Sequence, residues 1–281
     1  MRKLLFAAAC LALLGCGDDD GDDQTEYTVS FQALVDGTDF ACGDSYTLGT
    51  ADTEVTITDF RFFVSSVSVI DSQGNLFPMM LTDDDVWQTD EVALLDFENA
   101  ANGCDGTVDT NTSIVGTAGT EDAAGIVFDL GLPFEANHGL AADAEPPLNT
   151  TGLQWNWQGG YKYIRVDTDN GDGEWSLHIG ANGCESADMM SPPDSECANP
   201  NRARITLAAF DPSTQAVALD FGTAVATSDI STPAEPPPGC LSFANAETKC
   251  TAVFEQLGMS FSGGGCENDC AAQTVFTAAA R

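Results

Sequence analysis

The sequence predicts an all-β fold: a single β-sandwich-like domain with disulfide-stapled loops and a short C-terminal helical appendage. Three observations point to it. Short segments of apolar and polar residues alternate with period two, and that period places successive side chains on opposite faces of a strand. Turn-forming Gly, Asp, Asn, Thr and Ser separate these segments, and long helical periodicity is absent. Eight cysteines follow residue 16, an even number suited to stapling loops in an exported chain.

The elements follow in chain order. Residues 1–15 read as an export signal, with Arg2 and Lys3 as the charged start and an apolar stretch over 4–14 too short for a membrane anchor. Leu13-Leu14-Gly15-Cys16 resembles the lipobox of bacterial lipoproteins, with Cys16 as the lipidated residue; the rival is an ordinary signal peptide with an incidental cysteine. Residues 16–26 form an acidic tether that cannot bury enough apolar surface to fold. Residues 27–281 are expected to make one domain. Strands are predicted over 27–35, 55–64 running into 67–70, 92–97, 125–130, 162–166, 175–179, 204–208 and 216–221, with a turn at Gln73-Gly74-Asn75. The Pro-rich segment 233–238 reads as a linker before a Cys-rich extension, in which residues 247–257 form a short helix.

Charge narrows the partners. The chain holds 44 acidic and nine basic residues, and losing Arg2 and Lys3 with the signal leaves a formal charge of −37. Nucleic acid is excluded as a partner, because phosphate binding needs clustered Lys and Arg. The same charge argues against docking of the protein body on anionic lipid, so membrane contact is expected through the lipid anchor only. Acidity of this kind is a solvated surface and no sign of a metal site.

The eight cysteines are Cys42, Cys104, Cys184, Cys197, Cys240, Cys250, Cys266 and Cys270. Short-range pairing would join Cys184 to Cys197, Cys240 to Cys250 and Cys266 to Cys270, leaving Cys42 with Cys104, but sequence alone fixes none of these bonds. A zinc site is the rival, and no spacing among them matches the paired C-x2-C pattern.

The only histidines, His138 and His178, sit in aromatic-rich motifs, LPFEANH and WSLHIG. Imidazole is the commonest ligand for transition metals. A lone histidine is more often a hydrogen-bonded structural residue. Two imidazoles leave zinc or iron short of donors and suit Cu(I) better. Met79-Met80 and Met189-Met190 are candidate soft ligands that more simply fill core gaps. Between the histidines lies Trp155-Asn-Trp157-Gln-Gly-Gly-Tyr161. If extended, this stretch puts both tryptophans on one face, where core filling is the plain alternative; Gly159-Gly160 permits a bulge or a close backbone approach. The acidic stretch from Asp167 to Glu174 departs from the calcium-loop register, since Gly171 takes the fifth position, and reads as an acidic turn. No nucleophile elbow, P-loop, zinc-protease motif or haem-attachment motif is present.

Taken in order, Phe40-x-Cys42, D59-FRFFVS, V92-ALLDFE, G131-LPFxxNH, P147-LN, W155-xWQxGYK, W175-xxHxGxxGC, C197-xxPNR and I205-xLxxFD resemble the MbnP family of periplasmic proteins over roughly residues 27–276. The resemblance implies a protein that binds copper. It also implies a partner, a di-haem protein related to cytochrome c peroxidases and called MbnH, which oxidises a tryptophan of the MbnP-like protein to kynurenine. Distantly similar copper proteins hold Cu(I) through two histidines and a kynurenine nitrogen. The matching set here is His138, His178 and the pair Trp155 and Trp157. The chain is thus expected to be no enzyme but the substrate of one, lipid-anchored in the periplasm or cell envelope. The rivals are a glycan-binding or adhesion lipoprotein that uses its tryptophans as a sugar platform, and a secreted hydrolase.

Overall fold

The computed structural model describes residues 24–188, 191–232, 235–266 and 268–281. The signal segment, Cys16 and most of the acidic tether lie outside the described residues, as do Met189, Met190 and Pro233 of the Pro-rich segment. The strands are β1 (Thr25–Val35), β2 (Thr38–Asp39), β3 (Ser45–Leu48), β4 (Thr53–Ile70), β5 (Leu76–Leu81), β6 (Val92–Asp96), β7 (Ser113–Ala118), β8 (Gly125–Leu130), β9 (Gln154–Asn156), β10 (Gly160–Tyr161), β11 (Ile164–Asp169), β12 (Glu174–Ile179), β13 (Ala203–Leu207), β14 (Gln215–Asp220), β15 (Gly239–Leu241) and β16 (Phe276–Ala280). The helices are α1 (Phe134–Asn137), α2 (Phe221–Val225) and α3 (Glu247–Gln256).

All strands except β9 and β10 join one curled sheet in the order β15-β12-β11-β4-β5-β7-β1-β14-β16, with β8 and β13 continuing from β4. The curl folds the half built around β1 over the half built around β4, which gives the sandwich-like all-β fold. Period two supplies the core. Phe31 of β1 meets Phe62 of β4 and Phe128 of β8 edge-on, with ring centroids 6.0 and 5.8 Å apart. Phe276 of β16 closes the cluster against both Phe62 and Phe128.

β4 organises the sheet because its centre is buried on both faces. Phe60, Phe62 and Val64 point into the main core, while Asp59, Arg61, Phe63 and Ser65 point outward. The two runs predicted at 55–64 and 67–70 are one strand. Its register shifts between Ser65 and Ser68, where Ser66 takes a positive φ of 53°, so the bulge restores the inward phase for Val67 and Val69.

The outward face of β4, β6 and β11 is covered by an excursion between β8 and β11, residues 131–163. Leu132, Ala141, Leu153 and Tyr161 of the excursion bury Phe63, Val92 and Leu94 in a second, smaller apolar cluster. The C-terminal helix α3 is present, as expected, and it is seated in the main core through Val253, Phe254 and Leu257. The chain then returns to the sheet as β16, paired with β14.

Four disulfides join Cys42–Cys104, Cys184–Cys197, Cys240–Cys250 and Cys266–Cys270. Cys42–Cys104 joins two loops, while Cys184–Cys197 and Cys266–Cys270 each close one loop on itself. Cys240–Cys250 fastens β15 to α3. The predicted strand at 216–221 ends one residue early, because Asp220 caps α2 by accepting from the Thr223 amide. Truncating Phe62 to Ala should lower unfolding free energy by about 3–5 kcal/mol, as large core truncations do. Chemical denaturation of the two proteins checks this.

Candidate functional site

Alternation along β12 decides where His178 goes. Trp175, Leu177 and Ile179 enter the main core, so Ser176 and His178 face outward beneath the excursion. Register then lines up charge. Arg165 of β11 stands opposite both His178 and Arg61, and Asp167 stands opposite both Ser176 and Asp59. Two arginines directly opposed would repel. Carboxylates between them turn the row into a chain of alternating sign.

That chain runs Glu98, Arg61, Asp59, Arg165, Asp167, His178. Glu98 Oε1 lies 3.5 Å from Arg61 Nε. Arg61 donates through Nε to Asp59 Oδ1 at 2.9 Å and through its terminal nitrogen to Oδ2. Asp59 also receives Arg165 at 3.1 Å. Arg165 Nε donates to Asp167 Oδ2 at 2.7 Å, and Asp167 Oδ1 takes His178 Nε2 at 2.7 Å. Burial alone would raise the Asp167 carboxyl; the hydrogen bond and charge of His178, with Arg165 and Ser176, hold it well below the usual range. An ionised carboxylate only accepts, so His178 Nε2 carries the proton. Nδ1 then has no hydrogen bond among the described residues.

His138 is built differently. It follows α1 and is buried. Its Nδ1 lies 2.9 Å from the carbonyl oxygen of Trp157. A carbonyl cannot donate, so Nδ1 carries the proton and Nε2 keeps its lone pair. Asn137 Nδ2 stands 3.1 Å from that nitrogen and Cys197 Sγ stands 3.4 Å from it. Burial lowers the imidazole pKa, with the Trp157 carbonyl opposing in part, so the ring is neutral at physiological pH. His138, Cys184 and Cys197 form a group of three potential donors within 4.8 Å of one another, and His178 is not part of it.

Trp155 and Trp157 lie between the two histidines in sequence. The extended stretch stops at Asn156, whose side chain accepts the Gly159 amide at 2.7 Å, so the chain turns at Trp157 and the two rings do not follow a shared strand face. The Trp157 indole nitrogen is buried with no hydrogen-bond partner among the described residues. Trp155 packs on Phe243 with centroids 4.9 Å apart and against Gly180, two residues beyond His178, where a Cβ would come within 2.6 Å of the indole. Gly160 takes a φ of +71° at a register shift in the β9–β10 hairpin and lies against the Asn137 side chain, the close approach expected of Gly159-Gly160. The remaining tryptophans sit elsewhere: Trp175 fills the main core, and Trp87 flanks the second cluster.

Other candidates resolve plainly. Asp169 to Glu174 close the β11–β12 hairpin, and Asp167 is committed to Arg165 and His178. Met79 is buried and Met80 exposed, on opposite faces of β5. A surface cleft of about 600 Å³ lies against α3 and holds neither histidine. The acid–base chain was missed from sequence, since carboxylates are too abundant for any pair to stand out. Its one signal is the matched i, i+2 spacing of Asp59 with Arg61 and Arg165 with Asp167.

The MbnP family model matches residues 24–242 of the chain. Among solved structures, MbnP from Methylosinus trichosporium is similar with a TM-score of 0.80 and 29% sequence identity, covering 92% of this chain and 99% of that chain. No curated protein matches it.

The far end of the charged chain carries an excess of acid. Burial, with neighbouring carboxylates adding and Arg61 opposing, raises the Asp96 carboxyl to about 8 and that of Glu98 to about 7. Asp96 Oδ1 and both Glu98 oxygens are buried without hydrogen-bond partners among the described residues. The pair therefore keeps a proton in the folded protein at pH values where an unfolded carboxyl, with a pKa of about 4, has lost it. Its stabilising contribution is complete below about pH 4 and is lost as pH rises through 7 to 8. Asp96→Asn, which is neutral throughout, should flatten the decline in urea midpoint between about pH 5 and 8 relative to the original protein. Parallel pH profiles for the two proteins would exclude a shared proton.

Proposed function

The chain belongs to the MbnP family, and we propose that it is an exported copper-binding protein that works as an accessory in copper handling. In this reading a di-haem, peroxidase-like partner of the MbnH type oxidises Trp155 or Trp157 to kynurenine. One observation carries the reading. Each imidazole has one ring nitrogen tied to an oxygen acceptor, Trp157 O for His138 and Asp167 for His178; the other nitrogen has no hydrogen bond among the described residues in His178, and in His138 it meets only the Asn137 amide and Cys197 Sγ. Metal-binding histidines are oriented in this way, with carboxylate or carbonyl partners that fix the tautomer and raise basicity. Neutral nitrogen donors in low number suit Cu(I).

The donor types such a centre needs are present, with His178 standing outside the donor group around His138. The segment bearing Trp155 and Trp157 touches both imidazole neighbourhoods, through the Trp157 carbonyl on one side and Gly180 on the other. An indole N–H offers no lone pair to a metal, whereas the aniline nitrogen of kynurenine does. The unpartnered Trp157 nitrogen shows that this pocket does not satisfy an indole's polar atom. The glycan-binding alternative wants exposed aromatic rings; the large apolar side chains that are strongly exposed among the described residues are Leu76, Met80, Val86 and Val108, none of them aromatic. The acidic surface suits a partner with a basic docking face.

His138→Ala and His178→Ala should each remove most Cu(I) binding, and binding should weaken as pH falls and the imidazoles protonate. Titration against a chromophoric Cu(I) chelator measures both effects. Co-expression with the di-haem partner and supply of peroxide should raise the mass of one tryptophan peptide by two oxygen atoms less one carbonyl unit. Peptide mass spectrometry should place the change at Trp155 or Trp157. A change at Trp87 or Trp175, or unchanged copper binding in the double histidine variant, would overturn the proposal.

The proposed location is the periplasm or cell envelope, with a lipid on Cys16. No helix among the described residues is long and apolar enough to cross a membrane. Cys16→Ser should therefore move the protein from the membrane to the soluble fraction. Identical fractionation of the two proteins would exclude the anchor.

A further inference from the structure

The Cys184–Cys197 disulfide does a job that is already done. The base of its loop is closed by a backbone bridge: the Asn182 amide donates to Asn199 O at 2.9 Å, and the Asn199 amide returns a bond to Asn182 O at 3.0 Å. The Asn199 side chain adds a bond to Asn182 Oδ1 at 2.7 Å, and the Ala198 amide donates to Gly183 O. Gln158 pins the Cys184 carbonyl from the excursion at 3.1 Å. The two sulfurs therefore stay adjacent with or without a bond between them. Much of the loop they enclose is exposed, including Glu185, Asp194 and Glu196, so it can adjust when that bond opens.

The disulfide also faces an imidazole. Cys197 Sγ is 3.4 Å from His138 Nε2, the unprotonated ring nitrogen, which Asn137 Nδ2 also approaches at 3.1 Å. The Nε2 atom and both sulfurs lie within 4.8 Å of one another. Donors sharing one ion, at bond lengths of about 2.0–2.3 Å, stand about 3.5–4.5 Å apart. Opening the S–S bond lets the two sulfurs move out to that separation.

We infer that the Cys184–Cys197 bond gates a second copper-binding state of the protein, in which two thiolates and His138 Nε2 hold Cu(I) as a three-coordinate ion. A dithiol donor supplies two electrons and two protons. The S–S bond breaks, two S–H groups form, and the donor closes to its own disulfide. Cu(I) then displaces the two thiol protons to solvent as it binds. Two soft sulfurs and an imidazole make a stronger Cu(I) donor set than nitrogen donors alone. The inference shares His138 with the proposed copper centre and rests on that reading for no other residue. The redox state of one bond would then set how tightly the protein retains its metal.

The test uses the whole mature protein, oxidised or reduced with dithiothreitol and then desalted without air. Cu(I) affinity is read by competition with bicinchoninate. Reduction should tighten the binding of one Cu(I) by at least about tenfold, thiolate being the softer donor. The gain should vanish in Cys184→Ser/Cys197→Ser, whose six other cysteines are reduced alike, and persist in His178→Ala. Co(II) added to the reduced original protein provides a readout that does not depend on the serine variant folding. It should give a sulfur-to-cobalt charge-transfer band, with ligand-field bands that shift in His138→Ala. No gain on reduction, a gain retained by the double serine variant, or Co(II) bands unmoved by His138→Ala would overturn the inference. Failure of the copper centre itself reads differently: His178→Ala would then leave copper binding of the oxidised protein unchanged.

Discussion

Six ionisable side chains alternate acid with base from the loop after β6 across the outward face of β4, β11 and β12, and much of the remaining structure is arranged around keeping water from them. Asp59 and Glu98 are fully buried, and Arg61 nearly so. Charges in such a place persist only when each has its partner, and removing one leaves an uncompensated charge at a cost of about 3–5 kcal/mol. The excursion over residues 131–163 covers the Arg165 end, where Lys162 donates to the Gly152 carbonyl. The loop after β6 covers the Glu98 end, with Gly106 lying directly against that carboxylate. Cys42–Cys104 fastens this second cover. His178 is held at one terminus of the row, so its ring orientation is fixed by charge pairing more than by apolar contact.

The two imidazoles show two ways of presenting a nitrogen. His178 is gripped by a carboxylate that is itself fixed by arginine. His138 is gripped by a main-chain carbonyl inside a tight turn. Each has one nitrogen without an oxygen acceptor; that of His138 meets the Asn137 amide, and that of His178 has no hydrogen bond among the described residues.

The sequence showed the strands that alternate cleanly. Residues 27–35 and 125–130 became β1 and β8 because each has one face in the main core and strongly β-forming residues. The strands it concealed are those whose residues carry little signal. β7 is small and interrupted by Gly116, and β16 is mostly alanine after Phe276; both exist because a neighbouring strand offers an open edge. The histidines and tryptophans stood out by rarity. The acid–base chain did not, since its order follows from registers between strands about a hundred residues apart, and a composition rich in carboxylates hides the few that matter. The nearness of His138 to Cys197, 59 positions later, likewise has no trace in local spacing.

One sheet separates two apolar interiors of unequal importance. The main core holds the phenylalanine cluster and Trp175, while the smaller cluster beneath the excursion holds little more than what is needed to seat the covering segment. The tryptophans beside the histidines belong to the cover and not to the frame. A chemical change there would meet a wall of β-structure already closed on its other side. The architecture thus sets a closed frame behind a separate facing, and a change confined to the facing falls outside the phenylalanine core.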